Sequence, residues 1–142
     1  MRILIIDDST EDRFLFKKYI NNSSSCEDET TIEECNTLDE ALKTISKSDF
    51  DVILLDLALP GTDGTDTIKK LLEGLKNVKK NIPIVILTGS EDHTIGKNAF
   101  KMGVKDFLVK HDIDEKELCR SIRYATYDLN FKDKKSVKSK KK

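Results

Sequence analysis

The run Val52-Ile53-Leu54-Leu55 ends in a lone carboxylate, Asp56, and the chain then turns through Leu57-Ala58-Leu59-Pro60-Gly61. A short apolar run with branched side chains, closed by turn formers, reads as a strand buried on both faces. Such strands belong to parallel sheets covered by helices. Three further runs have the same form. Ile3-Leu4-Ile5-Ile6 leads into Asp7-Asp8, Pro83-Ile84-Val85-Ile86-Leu87 into Thr88-Gly89, and Asp106-Phe107-Leu108-Val109 into Lys110. In open α/β sheets the crevice beyond the carboxyl ends of the strands is where ligands bind. Three carboxylates, a hydroxyl and an amine are therefore expected along one edge.

Acids gathered in this way repel. At about 4 Å each unit-charge pair costs roughly 4 kcal/mol at an effective dielectric of 20. The cluster persists only if the acids are protonated or a cation sits among them, and hard oxygen ligands with room for waters suit Mg²⁺.

Between the strands the apolar period changes to that of helices. Thr10 to Ile20 carries Phe14, Leu15, Tyr19 and Ile20 at spacings compatible with one helical face, with Ser9 or Thr10 as its cap. Thr30 to Cys35 alternates imperfectly around Glu33-Glu34, as an edge strand does. Thr37-Leu38-Asp39-Glu40 reads as a capping box opening a helix with Leu38, Ala41, Leu42 and Ile45 on one stripe. Ile68, Leu71, Leu72 and Leu75 repeat the stripe after the turn-rich Pro60 to Gly64. Glu91 to Met102 is expected to be helical with Ile95, Ala99, Phe100 and Met102 inward, stopped by Gly103. A last helix is expected from Ile113 to about Asn130, with Leu118, Ile122, Ala125 and Leu129 inward. Five strands alternating with five helices predict an α/β domain: a five-stranded parallel sheet with helices on both faces and right-handed crossovers.

At 142 residues the chain is one domain by size. Its net charge of −1 hides an asymmetry: removing the seven Lys and one Asp of residues 132–142 leaves −7 for residues 1–131. An acidic globule of this kind does not bind nucleic acid by its body. Residues 131–142 lack apolar periodicity after Phe131 and read as a Lys-rich disordered tail beyond a domain of residues 1–130. No apolar run approaches the roughly 18 residues of a membrane span, and Met1 leads straight into a strand without a signal peptide, so a cytoplasmic location is expected. Cys26, Cys35 and Cys119 lack metal-ligand spacing and form an odd set, which favours three reduced thiols. His93 and His111 have no partner at metal or catalytic spacing and read as surface residues.

Along nearly all of residues 1–130 the chain resembles the receiver domains of two-component response regulators. The resemblance rests on five features in order: Asp7-Asp8 after the opening strand, Val52 to Asp56, the loop Leu59-Pro60-Gly61 with Asp63-Gly64, Ile86-Leu87-Thr88-Gly89, and Ala99 through Lys110. It implies a flavodoxin-like (βα)5 doubly wound sandwich. It implies that Asp56 is a phosphoacceptor for a sensor histidine kinase or histidine phosphotransfer protein, with Asp8, Asp56 and the Ala58 backbone carbonyl on Mg²⁺ directly and Asp7 through water. Lys110 and Thr88 would each bind a phosphoryl oxygen. Thr88 and Phe107 would form a switch, Phe107 turning inward to re-shape the surface of the fourth helix, fifth strand and fifth helix for a downstream protein or a second copy of the chain. The chain would act alone or as a shuttle, without a DNA-binding domain, and would be no enzyme beyond its own phosphoryl transfer and hydrolysis.

Two other classes share part of this pattern. A Mg²⁺-dependent aspartyl-phosphate phosphatase or phosphotransferase normally has a second acid two residues after its nucleophile, where this chain has Ala58. A phosphorylation-independent scaffold would keep the fold but lose members of the constellation, and none is missing. The chain departs from the family at His111, where a proline preceded by a cis bond is usual. Without proline, cis costs roughly 2.5 to 4 kcal/mol, so a trans Lys110–His111 bond is expected, with Lys110 still facing Asp56.

Overall fold

The structure, a computed structural model, describes residues 1–22, 29–89 and 93–127. Five parallel strands, β1 (Arg2–Ile6), β2 (Thr31–Cys35), β3 (Val52–Leu55), β4 (Ile84–Thr88) and β5 (Asp106–Val109), form one sheet in the order β2-β1-β3-β4-β5. Between them run α1 (Thr10–Asn22), α2 (Leu38–Lys47), α3 (Thr65–Asn77) and α4 (His93–Lys101), and α5 follows β5 over residues 115–127. This is the flavodoxin-like (βα)5 arrangement, with the chain reversing direction across the sheet between β1 and β3.

Alternation along the central strands sorts the core into two layers. Leu4, Ile6, Ile53, Leu55, Ile84 and Ile86 face α2, α3 and α4, where Ala41, Ile45, Ile68, Leu71 and Ala99 meet them. Ile3, Ile5, Val52, Leu54, Val85 and Leu87 face the other way, against Phe16 and Ile20 of α1 and Leu118, Ile122 and Ala125 of α5. Because both faces of β1, β3 and β4 are covered, their sequences are continuous apolar runs. The edge strand β2 is only partly buried. Burying a Leu or Ile side chain contributes about 1.5–3 kcal/mol, so these two layers hold the sheet edge in place.

The capping box forms, with a variation. Thr37 Oγ1 accepts from the Glu40 N–H at 3.2 Å, while the Glu40 carboxylate returns to the Asn36 N–H at 3.3 Å rather than to Thr37 itself. Gly103 takes φ +104 after α4, the left-handed conformation expected of that stop. The Lys110–His111 bond is trans.

Three expectations are corrected. In α1 the buried residues are Arg13, Phe16 and Ile20, while Phe14 is 66% exposed and Leu15 is exposed too. Phe14, Leu15, Phe16, Tyr19 and Ile20 spread over more than one stripe of this helix, and the sheet selects the one that Phe16 and Ile20 share with Arg13, whose guanidinium finds polar partners at the strand ends. In α4, Ile95 and Ala99 define the inward face at i, i+4, so Phe100, one position further round, is half exposed instead of inward. Cys119 is disulfide-bonded and Cys35 is a buried free thiol, against an expectation of three reduced thiols. Pairing depends on Cα atoms about 4.4–6.8 Å apart, which spacing along the chain does not report. Cys26, Leu129 and the Lys-rich tail lie outside the described residues.

Candidate functional site

The carboxyl ends of β1, β3, β4 and β5 bring the polar residues together. Asp7 is 2% and Asp56 4% exposed, so both carboxylates are out of bulk water, whereas Asp8 is exposed. One oxygen from each of the three lies within 4.8 Å of the others. Hard oxygen ligands gathered this closely suit a divalent cation such as Mg²⁺. Asp7 Oδ2 is buried without an aligned hydrogen bond, its close neighbour being the Lys110 ammonium. A buried oxygen in that condition is one that a cation or its bound water would satisfy.

Local turns orient the acids. Asp7 Oδ1 accepts the Ser9 N–H at 2.9 Å, and the Asp7 N–H donates to the Cys35 carbonyl at 3.0 Å, extending the β1–β2 ladder by one residue. Asp56 Oδ1 accepts the Ala58 N–H at 3.1 Å, and the Asp56 N–H donates to the Ile6 carbonyl at 2.9 Å. Ala58 is exposed and follows Asp56 by two residues, at the start of the loop into α3. Buried Thr67 ties this loop down by donating to the Leu57 carbonyl at 3.4 Å and contacting Thr62 Oγ1 at 2.8 Å. Gly64, at φ +49, supplies the bend that starts α3.

Lys110 comes from the end of β5. Its backbone N–H donates to the Thr88 carbonyl at 2.8 Å, and its Nζ stands 2.7 Å from Asp7 Oδ2, 2.8 Å from Asp12 Oδ2 and 3.0 Å from Asp56 Oδ2. Burial works to deprotonate this amine, but the carboxylates of Asp12, Asp7 and Asp56 overcome it and raise its pKa. Burial also raises the Asp7 pKa, with the Asp56 charge adding to it and the Lys110 contact opposing both. Thr88 is buried at the end of β4 beside Val109 in the register. Phe107 is partly buried on β5 and packs against the α2–α3–α4 layer, its ring 3.7 Å from where a Cβ on Gly96 would stand.

All the residues expected at the edge from strand endings are therefore there. Two neighbours were not anticipated. Asp12, in the first turn of α1, is an acid one helical turn beyond Asp8, and that spacing is its only sequence signal. Arg13 donates through Nη1 to the Asp7 carbonyl, through Nε to Glu34 Oε1 at 3.0 Å and through Nη2 to Thr10 Oγ1 at 3.3 Å. It thus clamps the backbone that presents the acidic pair. His111 has 60% of its side chain exposed, as expected of a surface residue, and the His93 side chain lies outside the described residues.

The family model described as the response regulator receiver domain matches residues 3–123. The chain is 32% identical over 109 residues to the transcriptional regulatory protein ResD of Bacillus subtilis, which covers 77% of this chain and 41% of that protein. It is likewise 32% identical over 109 residues to the regulatory protein VanR of Enterococcus faecium, covering 77% and 43%. The chain thus spans about two fifths of the length of the curated relatives it matches. Among solved structures, the signal receiver domain of a LuxO repressor protein from Vibrio parahaemolyticus superposes with a TM-score of 0.78 at 26% identity, over 93% of this chain and 94% of that one. A CheY-like receiver domain from Methanospirillum hungatei superposes at 0.75 over 92% and 97%, and at 21% identity it attests the fold alone.

Proposed function

This chain belongs to the response regulator receiver domain family of two-component systems, and from that premise we propose that Asp56 is its phosphoacceptor. The donor is the phosphohistidine of a sensor histidine kinase or a histidine phosphotransfer protein, and the setting is the cytoplasm. An Asp56 oxygen attacks the phosphorus, an O–P bond forms as the donor's P–N bond breaks, and the imidazole nitrogen leaves with the electron pair. Asp8, Asp56 and the Ala58 carbonyl would hold Mg²⁺, with Asp7 reaching it through water. Bound there, the cation offsets charge on the transferring group. Lys110 pairs with a phosphoryl oxygen and Thr88 donates a hydrogen bond to another.

The observation that carries this reading is the Lys110–Asp56 contact at 3.0 Å, made across 54 residues of chain beside two further acids. A purely structural ion pair needs one acid; an ammonium shared among three acids at a strand edge suits a site that receives an anionic group. Movement of Thr88 toward the phosphoryl group then opens space for Phe107 to turn inward. That re-shapes the α4–β5–α5 face, where exposed Phe100 and Tyr124 are available to a downstream protein or a second copy of this chain.

Incubation with acetyl phosphate and Mg²⁺, followed by intact mass, tests the assignment. The native chain should gain one phosphoryl group and Asp56→Asn none. Undiminished uptake by Asp56→Asn would place the acceptor elsewhere, and no uptake by a well-folded native chain would favour a scaffold.

A further inference from the structure

Asp12 stands outside the group of acids that could hold a cation, which comprises Asp7, Asp8 and Asp56. Its Oδ2 is nevertheless 2.8 Å from Lys110 Nζ, between Asp7 Oδ2 at 2.7 Å and Asp56 Oδ2 at 3.0 Å. An ammonium has three donors to distribute. Here two partners are cation ligands in the reading above and the third is not. Every contact between Lys110 and Asp7 or Asp56 puts a positive charge beside oxygens that a divalent cation would use, so the lysine and the cation oppose one another. A partner on the α1 side relieves that opposition.

Asp12 is suited to the task. It lies in the first turn of α1, where the helix favours negative charge, and its own N–H is capped by Ser9 Oγ at 3.2 Å. Its side chain is 37% exposed, so it keeps much of its hydration while reaching inward. The neighbouring Arg13, bonded to Asp7, Thr10 and Glu34, fixes this turn against the sheet edge. We propose that Asp12 is a positioning residue that draws the Lys110 ammonium toward α1, leaving Asp7 and Asp56 available to a divalent cation and retaining the lysine beside the site once the cation is bound. The proposal rests on the reading of Asp7, Asp8 and Asp56 as cation ligands.

Calorimetric titration of the full chain with MgCl₂ tests it, using native protein, Asp12→Asn, Asp12→Glu, Lys110→Met and the double variant Asp12→Asn/Lys110→Met. Asp12→Asn should weaken Mg²⁺ binding roughly fivefold, the scale of a partly exposed charge pair. Asp12→Glu should restore it to within about twofold of native. In the Lys110→Met background, Asp12→Asn should change the affinity by no more than about twofold, because the carboxylate acts through the ammonium. An equal loss in both backgrounds would overturn the proposal in favour of a direct charge effect of Asp12 on the cation. Unchanged or tighter binding by Asp12→Asn would also overturn it. Absence of Mg²⁺ binding by the native chain would instead sink the cation reading itself, and this proposal with it.

Discussion

Lys110 is the residue on which the electrostatics of the edge depend. Its ammonium faces three carboxylates, two of them nearly inaccessible to water. Removing one partner of a buried ionic group leaves charge uncompensated and typically costs about 3–5 kcal/mol. Lys110→Ala should therefore destabilise the cation-free protein by roughly 3 kcal/mol. Saturating Mg²⁺ should recover part of that loss, since a cation supplies the missing positive charge. Urea unfolding with and without MgCl₂ measures both effects, and a loss that Mg²⁺ leaves untouched would show the lysine to be a packing element. Arg13 shows how a charged residue enters a buried face: its guanidinium reaches the Asp7 carbonyl and the Glu34 carboxylate at the strand ends.

At the scale of elements, α1 is joined to β2 through Glu34, which takes Arg13 at 3.0 Å and Lys17 at 2.8 Å. The Lys17 hydrogen bond is the main cause that lowers the Glu34 pKa below its usual value, with Arg13 adding to it against the effect of burial. A carboxylate whose folded pKa is depressed contributes stability above the unfolded pKa, lost as pH falls through the folded one. With its carboxylate about one third exposed, the contribution is on the order of 1 kcal/mol. Glu34→Gln should thus be less stable than native at pH 7 and converge with it toward pH values below the carboxylate range, as read by denaturant midpoints across pH. The α2–α3 contact is tighter. A Cβ placed on Gly74 would collide with the Leu42 side chain. Gly74→Val should cost about 1–3 kcal/mol through overpacking, and adding Leu42→Ala should return part of it. If the double variant is no better than the single, the cost lies in the α3 backbone and not in the contact.

For the whole molecule, the site and the α4–β5–α5 face are linked through β4 and β5, whose ends carry Thr88 and Lys110 and whose register sets Phe107 opposite Ile86. Arrival of a phosphoryl mimic should therefore be felt unevenly. Hydrogen exchange with and without beryllofluoride should change most from β4 through β5 and least in β2, on the far edge of the sheet; uniform change would indicate general tightening without a switch. The strand runs, their polar endings and the capping box were legible in the sequence because each is a local pattern: burial on two faces demands continuous apolar residues, and a cap needs an acceptor within three residues of its donor. Asp7, Asp8, Asp56, Thr88 and Lys110 could be named on the same ground, since parallel strands carry their carboxyl ends to one edge, whereas Phe107 was named only through the family resemblance. The buried face of α1, the outward turn of Phe100, the bonded state of Cys119, and the Asp12 and Arg13 contacts were settled only by tertiary structure. A helix whose apolar residues spread beyond one stripe has no single preferred face until a sheet presents one. Likewise a charge or thiol many residues from its partner acquires that partner only when strand order and crossovers fix the distance between them.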